Sequence, residues 1–253
     1  MAVVAALRVA PVKGLATVSR DRIRIDSCGV TEDRRVFLLD EHGSVMTLRS
    51  HPHLVQVVPA LDLDRGIIRV SLPDGTAASS CVHDVAEEAR ATLFGKERAG
   101  RVLRGDVADA LSSAAGERVR VVVADHAGMG WDDGAVSLLG RPSAAAVGTP
   151  AGDTARYRML VEIEGTHPFE EDTWIGREIA LGDARVKVTN QLGRCVVITQ
   201  SPTSGNKDWD GLRALAEQRG RNLLCLGVIA DVVAPGEVRV GAEVRVAGTT
   251  TGT

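Results

Sequence analysis

Apolar and polar residues alternate along much of the chain with the two-residue period of strands that bury one face. Arg22-Ile-Arg-Ile-Asp26 and Ala184-Arg-Val-Lys-Val-Thr189 show the pattern most plainly. Apolar runs at 3–9, 36–39, 45–48, 54–58, 61–63, 67–70, 119–124 and 136–139 also read as strands, as does 156–163 with two arginines at its head. Turn formers punctuate them: Glu41-His-Gly-Ser44 and Asp64-Arg-Gly66 predict hairpin connections. Residues 223–233 and 238–246, separated by Pro235-Gly236, predict paired strands that close the chain. Short strands at close spacing suggest a β-sandwich or barrel for roughly the first 80 residues.

Helical patterning is sparser and falls later. Val107, Ala110, Leu111, Ala114 and Ala115 share one face of a predicted helix that Asp106 can cap and Gly116 can end. Residues 208–218 read as an amphipathic helix with Leu212, Leu215 and Ala216 inward, and 143–147 as a helical turn. Residues 85–93 have helical propensity with weak periodicity, predicting a helix or a connector. The fold class is therefore mainly β (α+β), with an expected first domain over 1–83, a second over 84–247 and a disordered tail over 248–253.

Composition narrows the function classes. Thirty Lys and Arg against thirty-three Asp and Glu leave a net charge of −3, which gives no global pull toward nucleic acid or a membrane surface. Aromatic residues at 3% also speak against base-stacking platforms. No run approaches the roughly 18 apolar residues of a membrane span, and the N-terminus lacks a basic signal-peptide region. A soluble cytoplasmic monomer is the expectation, without nucleic-acid or membrane partners.

Cys28, Cys81, Cys195 and Cys225 form no CxxC pair, and no histidine stands at metal-ligand spacing, which disfavours a structural zinc site. Cys195 is distinctive because it lies where one predicted strand ends and an apolar β-branched run begins, in Asn190-Gln-Leu-Gly-Arg-Cys-Val-Val-Ile-Thr199. A buried packing cysteine is the structural alternative. Cations recur beside loop residues at Lys13, Arg34, Arg35, Arg156, Arg158 and Arg194. Converging on Cys195, they would bind an anion and favour a thiolate; apart, they are solvated side chains. The Gly-rich loop 126–134 matches neither a P-loop nor a dinucleotide fingerprint. Glu170, Glu171 and Asp172 read as a solvated acidic face, and His51-Pro-His53 as surface residues.

Taken in series, several motifs resemble a known family. Ala10-Pro-Val-Lys-Gly14, Gly29-Val-Thr-Glu-Asp-Arg-Arg35 and Thr47-Leu-Arg-Ser-His-Pro52 resemble the N-terminal β-barrel domain that accompanies MOSC domains. Asp133-Gly-Ala-Val-Ser-Leu-Leu139, Arg156-Tyr-Arg158, Glu171-Asp-Thr-Trp174, Gly193-Arg-Cys-Val-Val-Ile-Thr199, Ser201-Pro-Thr-Ser-Gly205 and Gly236-Glu-Val-Arg-Val-Gly241 resemble the MOSC domain itself, the molybdenum cofactor sulfurase C-terminal type. The resemblance implies two β-barrel domains with a few short helices, and a molybdopterin-type molybdenum cofactor between them. It makes Cys195 the metal thiolate and catalytic residue, and Lys13, Gly14, Arg34, Asp133, Arg156, Arg158 and Arg194 the cofactor-binding set. Three positions depart from the pattern: Met159-Leu160 replaces Pro-Asn, Leu192 replaces the first cysteine of Cys-x-x-Cys, and Gly14 replaces serine.

Two functions follow from the resemblance. One is reduction of N-hydroxylated or N-oxygenated small molecules at the Cys195-ligated metal. No iron-sulfur cysteine cluster or flavin fingerprint is present, so that role requires separate electron-donor proteins. The other is a non-redox role as sulfur carrier or transferase through Cys195, without molybdenum.

Overall fold

The computed structural model describes residues 1–93, 95–128 and 133–247. The predicted tail 248–253 and part of the Gly-rich loop, 129–132, lie outside the described residues. In chain order the strands of the first half are β1 (Val3–Val9), β2 (Val18–Arg20), β3 (Arg22–Ile25), β4 (Val36–Leu39), β5 (Val58–Asp62), β6 (Ile67–Ser71), β7 (Ala77–Cys81), β8 (Val85–Leu93), β9 (Lys96–Leu103) and β10 (Arg120–Ala124). The second half adds β11 (Val136–Gly140), β12 (Val161–Glu164), β13 (Glu178–Leu181), β14 (Ala184–Gly193), β15 (Cys225–Ala234), β16 (Gly236–Arg239) and β17 (Val244–Val246). Three α-helices intervene among the described residues, α1 (Asp106–Ala115), α2 (Arg141–Ala146) and α3 (Gly211–Arg219). The fold is mainly β, as the alternation requires.

Eight strands form the largest sheet, in the order β17-β13-β14-β15-β11-β12-β1-β2. Its hydrogen-bonded order is open, but Val4 N–H donates to Ala242 O and Val244 N–H to Ala2 O, each at 2.9 Å. The sheet thus curls back on itself, and Leu7, Ile163, Trp174, Val186 and Val228 fill its interior. A second sheet runs β4-β10-β9-β8, and a third, β5-β6-β7, packs with α1 around Leu38, Leu54, Ile68, Val70 and Leu111. Strands on both sides of residue 83 share the second sheet, and β1 and β2 belong to the sheet of the second half.

Local chemistry explains where elements differ from the alternation. Residues 85–93 form β8, because seven register pairs with β9 override their helical propensity. Residues 52–56 form a 3-10 turn, for which Pro52 at its head is suited, and β5 starts only at Val58. In 45–48 only Val45 makes a bridge, to Leu39. The Thr47 carbonyl accepts the Ser50 and His51 N–H groups, and that local closure replaces a ladder. The predicted strand at 156–163 is a 3-10 turn over Thr154–Tyr157, a left-handed Arg158 (φ 55°) and then β12. The closing strands do not pair with one another: β15 lies between β14 and β11, β16 pairs with β3, and β17 with β13.

Candidate functional site

Cys195 follows the end of β14 and heads a 3-10 turn over Val196–Thr199 instead of the expected second strand. The turn closes through Ile198 N–H to Cys195 O at 3.2 Å, and Ile198 is drawn into an apolar cluster with Leu139, Met159, Leu215 and Leu226. This packing leaves the half-buried Cys195 in the wall of a cavity of about 460 Å3.

All eight residues singled out from the sequence line that cavity: Lys13, Gly14, Arg34, Asp133, Arg156, Arg158, Arg194 and Cys195. Arg49 joins them, making six cations against one described carboxylate, Asp133, which is exposed. Arg49 was missed although its Thr47-Leu-Arg49 context had been noted; its place in a tight turn was the available signal. Arg35, the remaining candidate cation, is absent from the described lining; its N–H-bearing neighbours place it in β4's approach, where its carbonyl accepts Ala124 N–H.

The N-terminal side of the cavity is organised by Asp33, a carboxylate only 3% exposed. One of its oxygens accepts Ala10 N–H at 2.9 Å and the other accepts Arg34 Nη1 at 2.5 Å. Arg34 N–H donates to Ala10 O at 2.6 Å, and Lys13 N–H to Val36 O at 2.8 Å, so the 10–14 loop is fixed against β4. Gly14 has φ +87°, and a β-carbon there would stand 3.3 Å from Met46 O. Glycine therefore suits both the left-handed backbone and the close approach.

Two of the lining arginines, Arg156 and Arg194, are committed within the protein. Arg156, with a side chain fully shielded from solvent, bonds Asp153, Asp208 (3.2 Å) and Ile198 O (3.0 Å), and lies 5.1 Å from the Trp209 ring centroid. Its Nε is buried without a partner. Arg194 Nε donates to Leu226 O at 2.8 Å and Nη1 to Tyr157 O at 3.1 Å, with the guanidinium 5.4 Å from the Tyr157 ring. Burial pulls Arg194 down to about 10, while nearby Tyr157, Cys195, Cys225 and Asp133 act in the opposite direction. At neutral pH it stays a cation, and among the described residues its bonds go to carbonyl oxygens and the Met159 sulfur and not to a carboxylate.

Two surface expectations are corrected. Glu171 is fully buried, accepting Ser143 Oγ–H at 2.7 Å and Gly140 N–H at 3.3 Å, and Asp172 pairs with Arg219, so these carboxylates pin a loop instead of facing water. His51 is half-buried and bonds Glu117 at 2.6 Å and Ser50 Oγ at 2.9 Å. Among the described residues no three His, Cys, Asp or Glu side chains cluster to hold a metal ion. A metal at Cys195 would therefore have to arrive with ligands of its own. No helix among the described residues is long and apolar enough to cross a membrane.

Comparison with known proteins fits this arrangement. The MOSC N-terminal beta barrel domain matches residues 1–118, and the MOSC domain matches residues 126–245. The chain is 24% identical over 256 residues to the molybdenum cofactor sulfurase of Caenorhabditis briggsae, covering 93% of this chain and 34% of that protein. It is 23% identical to mitochondrial amidoxime-reducing component 1 of Xenopus laevis, covering 96% of this chain and 81% of that one. Among solved structures, the YUAD protein from Bacillus subtilis aligns over 97% of this chain and 96% of its own, at 14% identity and a TM-score of 0.46. The chain spans about a third of the two Caenorhabditis sulfurases, at 34% and 32% of their lengths. With both of its domain types present in order over nearly the whole length, the chain belongs to the MOSC family.

Proposed function

We propose that the chain binds a molybdopterin-type molybdenum cofactor in this cavity, with Cys195 as the metal thiolate, and reduces N-oxygenated small molecules. The observation that carries the reading is the pairing of one half-buried thiol with six lining cations, in a protein whose described residues hold no self-sufficient metal site. Such a donor set fits a metal already ligated by an anionic carrier: a soft thiolate completes the metal, and the cations hold the carrier's phosphate.

The residues divide the work. Lys13 and Arg34 supply positive charge for the phosphate, and Gly14 leaves the backbone bare between them and Met46. Asp133 offers an acceptor for ring N–H groups. Arg156 braces the 154–157 turn against Ile198 and Asp208, with Nε as its one unmatched buried donor. Arg158 adds charge to the wall, and Arg194 contributes charge beside Cys195, since its donors are taken by carbonyl oxygens. When bound, the cofactor supplies two-electron chemistry for cleaving an N–O bond, with electrons from separate donor proteins. The amidoxime-reducing relatives support this choice of substrate class.

The test is metal and pterin analysis of protein purified from a cofactor-competent host. Equimolar molybdenum is expected, and Cys195→Ser should lose both the metal and benzamidoxime reduction. Wild-type protein free of molybdenum and pterin would overturn the reading. A removable sulfur on Cys195 in such protein would identify the sulfur-carrier role, to which the sulfurase relatives point.

A further inference from the structure

A second cavity, of about 370 Å3, adjoins the first and shares Leu48, Arg156, Arg158 and Val197 with it. Its own wall differs in chemistry. Thr17, Ser19, Ser201 and Thr203 line it, together with Arg8 and Asp153.

Arg8 is incompletely matched. Its Nη1 pairs with Glu162, a fully buried carboxylate that also accepts Arg141 Nε at 2.9 Å and Thr154 Oγ1–H at 2.8 Å. One carboxylate thus answers two guanidinium groups and only partly offsets the charge that Arg8 brings to the cavity wall. The other Arg8 side-chain N–H groups have no acceptor among the described residues, and that side chain is 17% exposed. Arg156 borders both cavities, with its Nε buried and without a partner.

We infer that the second cavity is a subsite for the carboxylate-bearing tail of the substrate, whose N-oxygenated head lies in the first cavity. Val197 lines both spaces and is two residues from Cys195, so the head and the tail are within one small molecule's span. Arg8, Arg156 and Arg158 line this space against the one described carboxylate Asp153, itself paired with Arg156, so the walls favour an anionic group such as a carboxylate. The inference rests on the reductase reading for the identity of the head group, while the anionic tail stands on Arg8 and the hydroxyl wall.

The experiment compares benzamidoxime with 4-carboxybenzamidoxime on the full chain purified from a cofactor-competent host, by calorimetry and by steady-state KM. A charge-assisted hydrogen bond should make wild type bind the carboxylated probe about tenfold tighter. Arg8→Gln should erase that advantage and leave the Kd and KM of benzamidoxime unchanged, with Arg8→Lys restoring part of it. Glu162 keeps Arg141 and Thr154 in the variant, so the fold is preserved; Thr203→Val, on the opposite segment, should weaken the carboxylated probe independently. Equal affinities in wild type, equal losses for both probes, or no binding of either overturns the subsite. Selective binding without turnover upholds the subsite and sinks the reductase reading.

Discussion

A β-carbon on Gly227 would stand 3.4 Å from Arg194 Nη2, 2.8 Å from Met159 Cε and 2.6 Å from Leu138 O. Gly227 lies within β15 at φ +73°, so the strand is kinked and bare where the arginine beside Cys195 crosses it. The Arg194 and Met159 contacts could yield by side-chain movement, but the Leu138 carbonyl is backbone and cannot. Gly227→Ala should therefore cost roughly 2–4 kcal/mol, seen as a fall in Tm of about 5–10 °C. Arg194, at ordinary van der Waals distance from that carbon, keeps its bonds to Leu226 and Tyr157, so the loss should be read in stability through the Leu138 clash.

Asp33 ties the N-terminal side of the cavity together through Ala10 N–H and Arg34 Nη1. Asp33→Asn can keep the first bond and loses the charge-assisted one. Urea unfolding should show a loss of about 2 kcal/mol. Cofactor retention should drop further than that of a surface variant of equal stability, since Arg34 is no longer held at the wall. Unchanged retention at reduced stability would separate Asp33 from the site.

The alternation in Arg22–Ile25 was readable because one face of that strand is buried, with Ile23 and Ile25 inward and both arginines out. The same logic misled at 54–58, where Pro52 starts a turn in which Leu54 and Val55 are still buried. Apolar content marks burial, and local backbone chemistry decides the shape. The cations of the site were legible as residue types, and the order of motifs pointed to their meeting at Cys195. Their employment was not legible: Arg156 answers to Asp208, 52 residues away, and Arg194 to carbonyl groups that no side-chain pattern reveals. Glu171 looked solvated among its acidic neighbours, yet the buried Ser143 hydroxyl that receives it comes from α2.

Arg156 is a brace whose removal should be read in stability before chemistry. Asp153, Asp208 and the Ile198 carbonyl surround its shielded guanidinium, and no other side chain reaches all three. Lysine keeps the charge and loses the fork. Arg156→Lys should cost about 3 kcal/mol in urea unfolding, with Trp209 fluorescence reporting the loosened contact at the start of the same transition. A variant as stable as wild type would show that the two carboxylates are satisfied without it.

Glu171 gives the fold a pH dependence of definite sign. Burial pushes its carboxyl above the ordinary glutamate value, although the bonds from Ser143 and Gly140 act against the shift. A carboxyl that holds its proton more tightly in the folded chain supports folding fully at low pH. It withdraws that support as pH rises from the unfolded value through the folded one. Compared with Glu171→Gln, wild type should therefore lose relative stability as pH rises above the ordinary glutamate range. The glutamine leaves one of the two donors short of an acceptor, so its absolute stability is lower at acid pH, and the gap should narrow on going alkaline. Urea midpoints measured on both proteins across that rise check the prediction. A gap that widens with pH would mean that the hydrogen bonds to the ionised carboxylate outweigh its burial.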